Sequence, residues 1–187
     1  MKALLICGSR NPEGQTAQAA GAVMKGLADG GAETEDVFLP ALALERCRQC
    51  DLDGWGLCRR EGRCIVDDDL EDLVGKMEQA DIIVMATPVY FSDLSESLRA
   101  FTDRLRRACI QEEGRKRIEG KCVAGVCVAG GGGGGAPECC ASLGKVLTTC
   151  GFQVADLIPV RRQNLQAKLR SLELVGEWLA GQTCSNA

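Results

Sequence analysis

The sequence contains no histidine, and aromatic residues make up only 4% of its 187 residues. Sites that depend on imidazole, whether for proton transfer or for metal ligation, are therefore excluded. No obvious pair of acid and base side chains replaces it. Catalysis by the protein's own side chains is thus a weaker hypothesis than chemistry carried out by a bound cofactor.

Long hydrophobic runs are also missing. No apolar segment approaches the roughly 18 residues that a membrane span needs, and the apolar start of MKALLICGSR is too short for a secretory signal. The net charge of −4 gives no bias toward nucleic acid. We therefore expect a cytoplasmic protein that binds neither membrane nor nucleic acid.

Cysteine, in contrast, is abundant, with twelve residues. Because the cytosol is reducing, these thiols are not expected to form a disulfide framework. Four of them cluster in CRQCDLDGWGLCRREGRC, residues 47–64. The other eight are scattered; most follow apolar patterns, which favours packing, and Cys109 and Cys184 have no partner that the sequence indicates.

The hydrophobic pattern predicts an α/β fold. Near-continuous apolar runs of strand length alternate with segments of helical spacing, which indicates strands buried on both faces. The runs lie at 3–7, 34–39, 81–87, 122–129 and 152–160. We expect one domain over residues 1–187, a doubly wound five-stranded parallel sheet of order 2-1-3-4-5 with helices on both faces and a cysteine-rich loop at 45–66.

In such a sheet the strand–helix loops meet at the carboxyl edge, where ligands bind. The first loop, GSRNPEGQT, combines glycines with Ser9, Arg10, Gln15 and Thr16 at the start of a helix, which suits a phosphate group. It lacks both the dinucleotide and the P-loop fingerprints, so a monophosphate is favoured. The alternative is a polar turn that only caps the helix.

Two further loops are candidates for the same site. TPVYFSDLS offers Tyr90 and Phe91 to a flat aromatic ligand, unless these rings simply pack in the core; Asp93 and Glu96 in and after it indicate a helix start. AGGGGGGAPE places six consecutive glycines between a buried strand and a helix. Glycine there lets backbone approach a ligand closely, although a flexible linker is the alternative.

The clustered cysteines, Cys47, Cys50, Cys58 and Cys64, have the spacing C-x2-C-x7-C-x5-C, in a polar loop that belongs to neither a strand nor a helix. Four thiolates suit a tetrahedral zinc ion or a 4Fe-4S cluster, and spacing alone does not separate the two. The third interpretation is that the four cysteines bind no metal and are free or redox-paired thiols. Because strand–helix loops meet at one edge, we expect the cysteine loop beside the other loops.

A basic patch precedes the fourth strand, with Arg104, Arg106 and Arg107 followed by residues 115–117. A solvated face is its simplest interpretation. The alternative is binding of NADPH phosphates or of an acidic electron-transfer partner.

GSRNPEGQT, ADIIVMATPVYFSDLSESLRAFTDRL and the glycine-rich loop, in this order over residues 1–160, resemble the NAD(P)H-dependent FMN reductase branch of the flavodoxin-like superfamily. RCIVDDDLEDLVGKMEQAD extends the resemblance to its iron-sulfur flavoproteins. The resemblance implies that FMN is the cofactor. Its phosphate would be held by Ser9, Arg10, Gly14, Gln15 and Thr16, and its ring bordered by Pro88, Val89, Tyr90, Phe91, Gly130, Gly131, Gly132 and Gly133.

The same resemblance implies a 4Fe-4S cluster on the four cysteines that exchanges electrons with FMN. The family pattern has two residues between the second and third cysteines, whereas this chain has seven, DLDGWGL. The implied function is an FMN-dependent oxidoreductase, a homodimer or homotetramer, that uses NAD(P)H, another small molecule or a ferredoxin-like protein as its redox partner. A non-enzymatic electron carrier and a zinc-stabilised regulatory module are the alternatives.

Overall fold

The computed structural model describes residues 1–182, so Cys184 lies outside the described residues. Within them, five parallel strands form one sheet in the order β2-β1-β3-β4-β5, which confirms the predicted topology. The strands are β1 (Lys2–Cys7), β2 (Glu33–Phe38), β3 (Ile82–Pro88), β4 (Cys122–Ala129) and β5 (Gln153–Arg161). Strands β3 and β4 are covered on both faces, as their unbroken apolar sequences require.

Helices cover both faces of the sheet. They are α1 (Gln15–Asp29), α2 (Leu57–Glu61), α3 (Leu70–Gln79), α4 (Glu96–Ala108), α5 (Glu112–Lys116), α6 (Ala136–Cys150) and α7 (Leu165–Ala180). One core lies beneath α1 and α7, and the other lies beneath α3, α4 and α6. The short helices α2 and α5 were not predicted, because five residues are too few to show a hydrophobic period.

The scattered cysteines within the described residues are core residues. Cys7, Cys109, Cys122, Cys127, Cys139, Cys140 and Cys150 are all buried. Burial raises the pKa of the Cys7 thiol, which keeps it protonated. These residues therefore act as small apolar side chains, as the sequence pattern predicted.

Helices α1 and α7 approach closely because each has a glycine at their contact. A Cβ atom on Gly26 would lie 1.9 Å from the carbonyl oxygen of Glu173, and one on Gly176 would lie 2.1 Å from that of Val23. These distances leave no room for a methyl group. Because the backbones of the two helices are in contact there, only glycine fits at both positions.

The long connection from β2 to α3 is anchored by a buried ion pair. Arg104 of α4 donates two hydrogen bonds to Asp68, at 2.6 and 2.8 Å, and a third to the carbonyl oxygen of Glu45 at 3.0 Å. The side chains of Arg104 and Asp68 are 1% and 5% exposed. Asp68 also accepts the backbone N–H of Glu45 at 2.9 Å, so both ends of the cysteine-rich loop are fixed to one helix.

Gly26→Ala should destabilise the protein by about 1 to 3 kcal/mol, because the methyl group forces α1 away from α7. Gly21→Ala in the same helix, where a Cβ meets nothing within 4 Å, should instead stabilise it by up to about 1 kcal/mol. Urea unfolding of both variants measures the difference. Equal effects of the two substitutions would contradict the close helix contact.

Asp68→Asn should cost about 3 to 5 kcal/mol, because it leaves the buried Arg104 charge without a partner. Glu45→Gln, which breaks an exposed pair with Arg48, should cost less than about 1 kcal/mol. Urea unfolding of the two variants measures the difference.

The ion pair should also make the stability depend on pH. Burial raises the pKa of Asp68, but hydrogen bonds from Arg104 and from backbone N–H groups lower it overall. The contribution of the Arg104–Asp68 pair to stability should thus be present above about pH 4 and be lost as the pH falls below that value. Unfolding free energies measured at several pH values check this.

Candidate functional site

The amino end of α1 opens onto the carboxyl edge of the sheet without a side-chain cap. Gly14 precedes the helix, and the first intrahelical bond of this end runs from the N–H of Gln18 to the carbonyl oxygen of Gly14. The N–H groups of Gln15 and Thr16 therefore have no partner within the helix. Together with the positive end of the helix dipole, they form a site for an anion.

The turn before α1 is held by its own hydrogen bonds. The carbonyl oxygen of Asn11 accepts the N–H of Gly14 at 3.1 Å, and its side-chain oxygen accepts the N–H of Glu13 at 3.0 Å. The hydroxyl of Ser9 bonds the backbone of Asn11 at 3.3 Å, and Arg10 is exposed. Ser9 and Arg10 do not line the groove described next, so the structure brings together only part of the predicted phosphate set.

An open groove of about 610 Å³ lies between the first, third and fourth strand–helix loops. Its α1 end is polar, whereas its walls are apolar side chains and glycine backbone. Its lining residues are Asn11, Gly14, Gln15, Thr16, Pro88, Val89, Tyr90, Val128, Ala129 and Gly130 to Gly134. The groove thus offers anion donors at one end and a flat apolar surface along its length.

The β3–α4 loop forms a tight turn at the rim of this groove. Tyr90 and Asp93 exchange backbone hydrogen bonds of 3.0 and 2.9 Å, and Phe91 and Ser92 between them have φ angles of 49° and 63°. Tyr90 lines the groove, but Phe91 is fully exposed and lies outside it. Of the two aromatic candidates, only Tyr90 is therefore placed to contact a ligand in the groove.

The glycine run forms the opposite wall as a hydrogen-bonded turn. The N–H of Gly133 donates to the carbonyl oxygen of Gly130 at 2.7 Å, and Gln163 donates to that of Gly131 at 3.2 Å. A Cβ atom on Gly132 would meet nothing within 4 Å. The backbone is therefore bare toward open space, which agrees with the ligand-contact prediction rather than with a free linker.

Buried hydroxyl groups fix the first and third loops to each other. The hydroxyls of Ser95 and Ser97 both donate to the carbonyl oxygen of Gly8, at 3.2 and 2.9 Å, and Thr87 bonds Ser95 at 3.1 Å. Ser95 also caps α4 by accepting the N–H of Leu98. The sequence prediction of Asp93 as the start of this helix was wrong, because Asp93 belongs to the turn with Tyr90.

The four clustered cysteines line a second, smaller cavity together with Arg48, Arg104 and Arg107. All four are half-buried free thiols, and the free space among them is about 20 Å³, room for roughly one water molecule. Within residues 1–182, no group of three or more cysteine or carboxylate side chains is arranged as a ligand set. Four thiols are a donor set that zinc or an iron-sulfur cluster accepts, but here they are not arranged as ligands, so the loop has to rearrange to hold such a centre.

Two expectations about this loop were wrong. Cys58 lies in the short helix α2 rather than in irregular loop. The loop also leaves the carboxyl edge, because α2 packs against α5 at Gly62 and Gly114, and the thiols lie beside Arg104 and Arg107 in the second half of α4. Since a helix rises 1.5 Å per residue, these arginines lie about 12 to 17 Å along α4 from its start at the groove.

Only part of the basic patch is a solvated face: the side chains of Arg106, Arg115 and Lys116 are 41%, 42% and 57% exposed. Arg104 is 2% exposed and forms the ion pair with Asp68, and Arg107 stacks on Trp55 with its guanidinium carbon 4.0 Å from the ring centroid. Arg106, in contrast, is partly exposed and pairs with Asp103. The sequence could not separate these neighbours, because their different roles depend on a loop far away in the chain.

Some groove residues were missed at the sequence level. Asn11 lies inside the first loop but has no charge to mark it, and Val128 and Ala129 read as ordinary strand residues. Gly134 lies within the glycine run beside the predicted Gly133. The signal that could have found Val128 and Ala129 is their position at the carboxyl end of a central strand.

Comparison with known proteins agrees with this geometry. Two curated iron-sulfur flavoproteins are similar to the chain. The one from Methanocaldococcus jannaschii is 34% identical over 131 residues, covering 70% of this chain and 65% of its own. The one from Methanosarcina thermophila is 33% identical over 104 residues, covering 56% and 52%. The chain therefore spans between about half and two thirds of the length of these relatives.

Solved structures share the fold. An NAD(P)H:quinone oxidoreductase from Methanothermobacter marburgensis superposes with a TM-score of 0.71 at 18% identity, covering 97% of each chain. RosB, solved with a flavin-derived intermediate, has a TM-score of 0.71 at 20% identity and covers 96% of this chain and 79% of its own. The family model of the NADPH-dependent FMN reductases matches residues 1–159. With this match, the flavodoxin-like topology and the groove at the sheet edge, the chain belongs to the NADPH-dependent FMN reductase family.

Proposed function

We propose that the chain is an oxidoreductase that binds FMN in the groove and transfers electrons from NAD(P)H or a ferredoxin-like protein to a small-molecule acceptor. The observation that carries this proposal is the form of the groove. It joins an uncapped helix start at Gly14 to an apolar wall and a bare glycine backbone. Membership of the family and the flavin-related neighbours support the same cofactor.

Each part of the groove has a task that matches a part of FMN. The free N–H groups and side chains of Gln15 and Thr16 hold the phosphate, and Asn11 fixes the turn that presents them. Tyr90 and Val89 border the ring on one side, and the backbone of Gly130 to Gly134 borders it on the other. When bound, FMN supplies the hydride and single-electron chemistry, so the protein needs no nucleophile or proton donor of its own.

We also propose that Cys47, Cys50, Cys58 and Cys64 hold a 4Fe-4S cluster, with zinc as the alternative. Both centres accept ligation by four cysteines, and the four thiols already line one cavity. Similarity to iron-sulfur flavoproteins supports the cluster. A cytoplasmic location is part of this proposal, since it keeps the thiols reduced.

The position of the thiols bears on the route of the electrons. They lie beside Arg104 and Arg107 in the second half of α4. We propose that the cluster exchanges electrons with FMN, within one chain or between the subunits of a homodimer or homotetramer.

Thr16→Ala should weaken FMN binding about ten- to a hundredfold, because a hydrogen bond to a charged group is worth about 1.5 to 3 kcal/mol. Gly132→Val should also reduce FMN binding, since its side chain fills open groove without disturbing the fold. Thr149→Ala, on the exposed side of α6, is the control. Fluorescence titration with FMN measures the affinities, and parent-like values for both groove variants would move the flavin site elsewhere.

Replacing any of the four clustered cysteines by serine should lower the iron content of anaerobically reconstituted protein while leaving FMN affinity unchanged. Cys150→Ala, which removes a core thiol, should retain iron. Metal analysis with flavin titration checks both results. If Cys58→Ser alone keeps a full complement of iron, another ligand completes the centre, and if the parent takes up zinc but no iron, the cluster assignment is wrong.

A further inference from the structure

Two arginines of α4 face the cavity of the four cysteines with unused hydrogen-bond donors. Arg104 and Arg107 are three residues apart, so they lie on one face of the helix, and both line the cavity. The Nε–H of each is buried and has no hydrogen-bond partner among the described residues. Buried donors are almost always satisfied, so two of them beside four sulfur atoms require an explanation.

Of the three guanidinium nitrogens of Arg104, Nε is the one without a hydrogen-bond partner among the described residues. Its terminal nitrogens bond Asp68 and the carbonyl oxygen of Glu45, while the side chain is almost fully buried. The guanidinium is therefore fixed between the carboxylate of Asp68 and the cavity of the four cysteines.

Arg107 carries a positive charge that no carboxylate balances within residues 1–182. It donates to the carbonyl oxygen of Gly54 and stacks on Trp55. Arg48, the third arginine of the cavity, is in contrast paired with Glu45. Arg107 is thus the cation of this cavity that lacks an anion, and it lies beside four groups that become anions when they bind a metal.

Arg107 is fixed in this position by the segment between the second and third cysteines. Two guanidinium groups lie over the ring of Trp55, that of Arg59 at 5.7 Å and that of Arg107 at 4.0 Å from its centroid. A Cβ atom on Gly56 would lie 2.9 Å from the Cβ atom of Cys50, so the segment packs directly on the cluster of thiols. The segment therefore covers the cavity and holds Arg107 against it.

We propose that Arg104 and Arg107 are positioning residues of the cysteine centre, which donate their Nε–H groups to its sulfur atoms and, through Arg107, supply its compensating charge. The inference rests on the proposed function of the four cysteines as metal ligands. Four thiolates together with a divalent ion such as zinc, or with a 4Fe-4S core, form a centre of net negative charge. Reduction of the cluster adds one further negative charge. Nearby cations and hydrogen bonds to sulfur stabilise the more negative form, so both residues raise the reduction potential.

The test compares Arg107→Gln with Arg106→Gln, its neighbour on α4, which loses the same charge but does not line the cavity. Metal-free protein is titrated anaerobically with Co²⁺, whose thiolate charge-transfer absorption reports the four cysteines directly. We expect Arg107→Gln to bind Co²⁺ at least tenfold more weakly than Arg106→Gln. Arg107→Lys, which keeps the charge but loses the Nε–H and the planar stack, should fall between the two.

A second measurement is the reduction potential of the reconstituted cluster. A tenfold weaker preference for the reduced form lowers the potential of a one-electron couple by 59 mV, and we expect at least this fall for Arg107→Gln. Trp55→Leu, which removes the stack but keeps the arginine, separates the loss of charge from the loss of packing and should lower the potential less.

The outcomes distinguish the two proposals. If the parent binds Co²⁺ and a cluster while Arg107→Gln matches Arg106→Gln in both measurements, the arginines only pack against Trp55, and this inference fails while the metal site stands. If Trp55→Leu changes the potential as much as Arg107→Gln, packing rather than charge is responsible, and the inference again fails. If the parent binds neither Co²⁺ nor a cluster, the proposed metal site itself is wrong and the inference falls with it.

Discussion

The buried ion pair between Arg104 and Asp68 links the two functional regions of this molecule. It fixes the long β2–α3 connection to α4, and α4 begins at the groove through the hydroxyl network of Ser95. A buried pair of this kind is costly to break, because either partner alone would be an uncompensated charge. Both the groove and the cysteine cavity therefore depend on the placement of a single helix.

The groove itself follows from the parallel sheet. Right-handed strand–helix crossovers bring the loops after β1, β3 and β4 to one edge, and hydrogen bonds between these loops hold them in place. The chemistry of the loops differs along the groove: free backbone N–H groups at the α1 end, apolar side chains in the middle and bare glycine opposite. The fold thus supplies the location, and in the function proposed above a small number of loop residues supply the selectivity for a phosphorylated flat ligand. Within the described residues, no helix is long and apolar enough to cross a membrane.

Sequence reasoning was most successful where the pattern is local. The five strands, their order and the loops that line the groove could be predicted, because apolar runs, glycines and helix starts are recognisable within short continuous segments of the sequence. It failed where the structure depends on distant partners. The burial of Arg104 depends on Asp68, the helical position of Cys58 depends on packing of α2 against α5, and the exposure of Phe91 depends on the turn closed by Tyr90 and Asp93. None of these contacts leaves a periodic signal.

The central claim is that the groove binds FMN and that the bound flavin accepts electrons from NADPH. The most direct measurement is the visible absorption spectrum of the FMN-loaded, desalted protein under anaerobic conditions, before and after one equivalent of NADPH. We predict that FMN stays with the protein through desalting and that its absorption band bleaches when NADPH is added. FMN that separates from the protein on the column, or a bound flavin that neither NADPH nor NADH bleaches, would contradict the account.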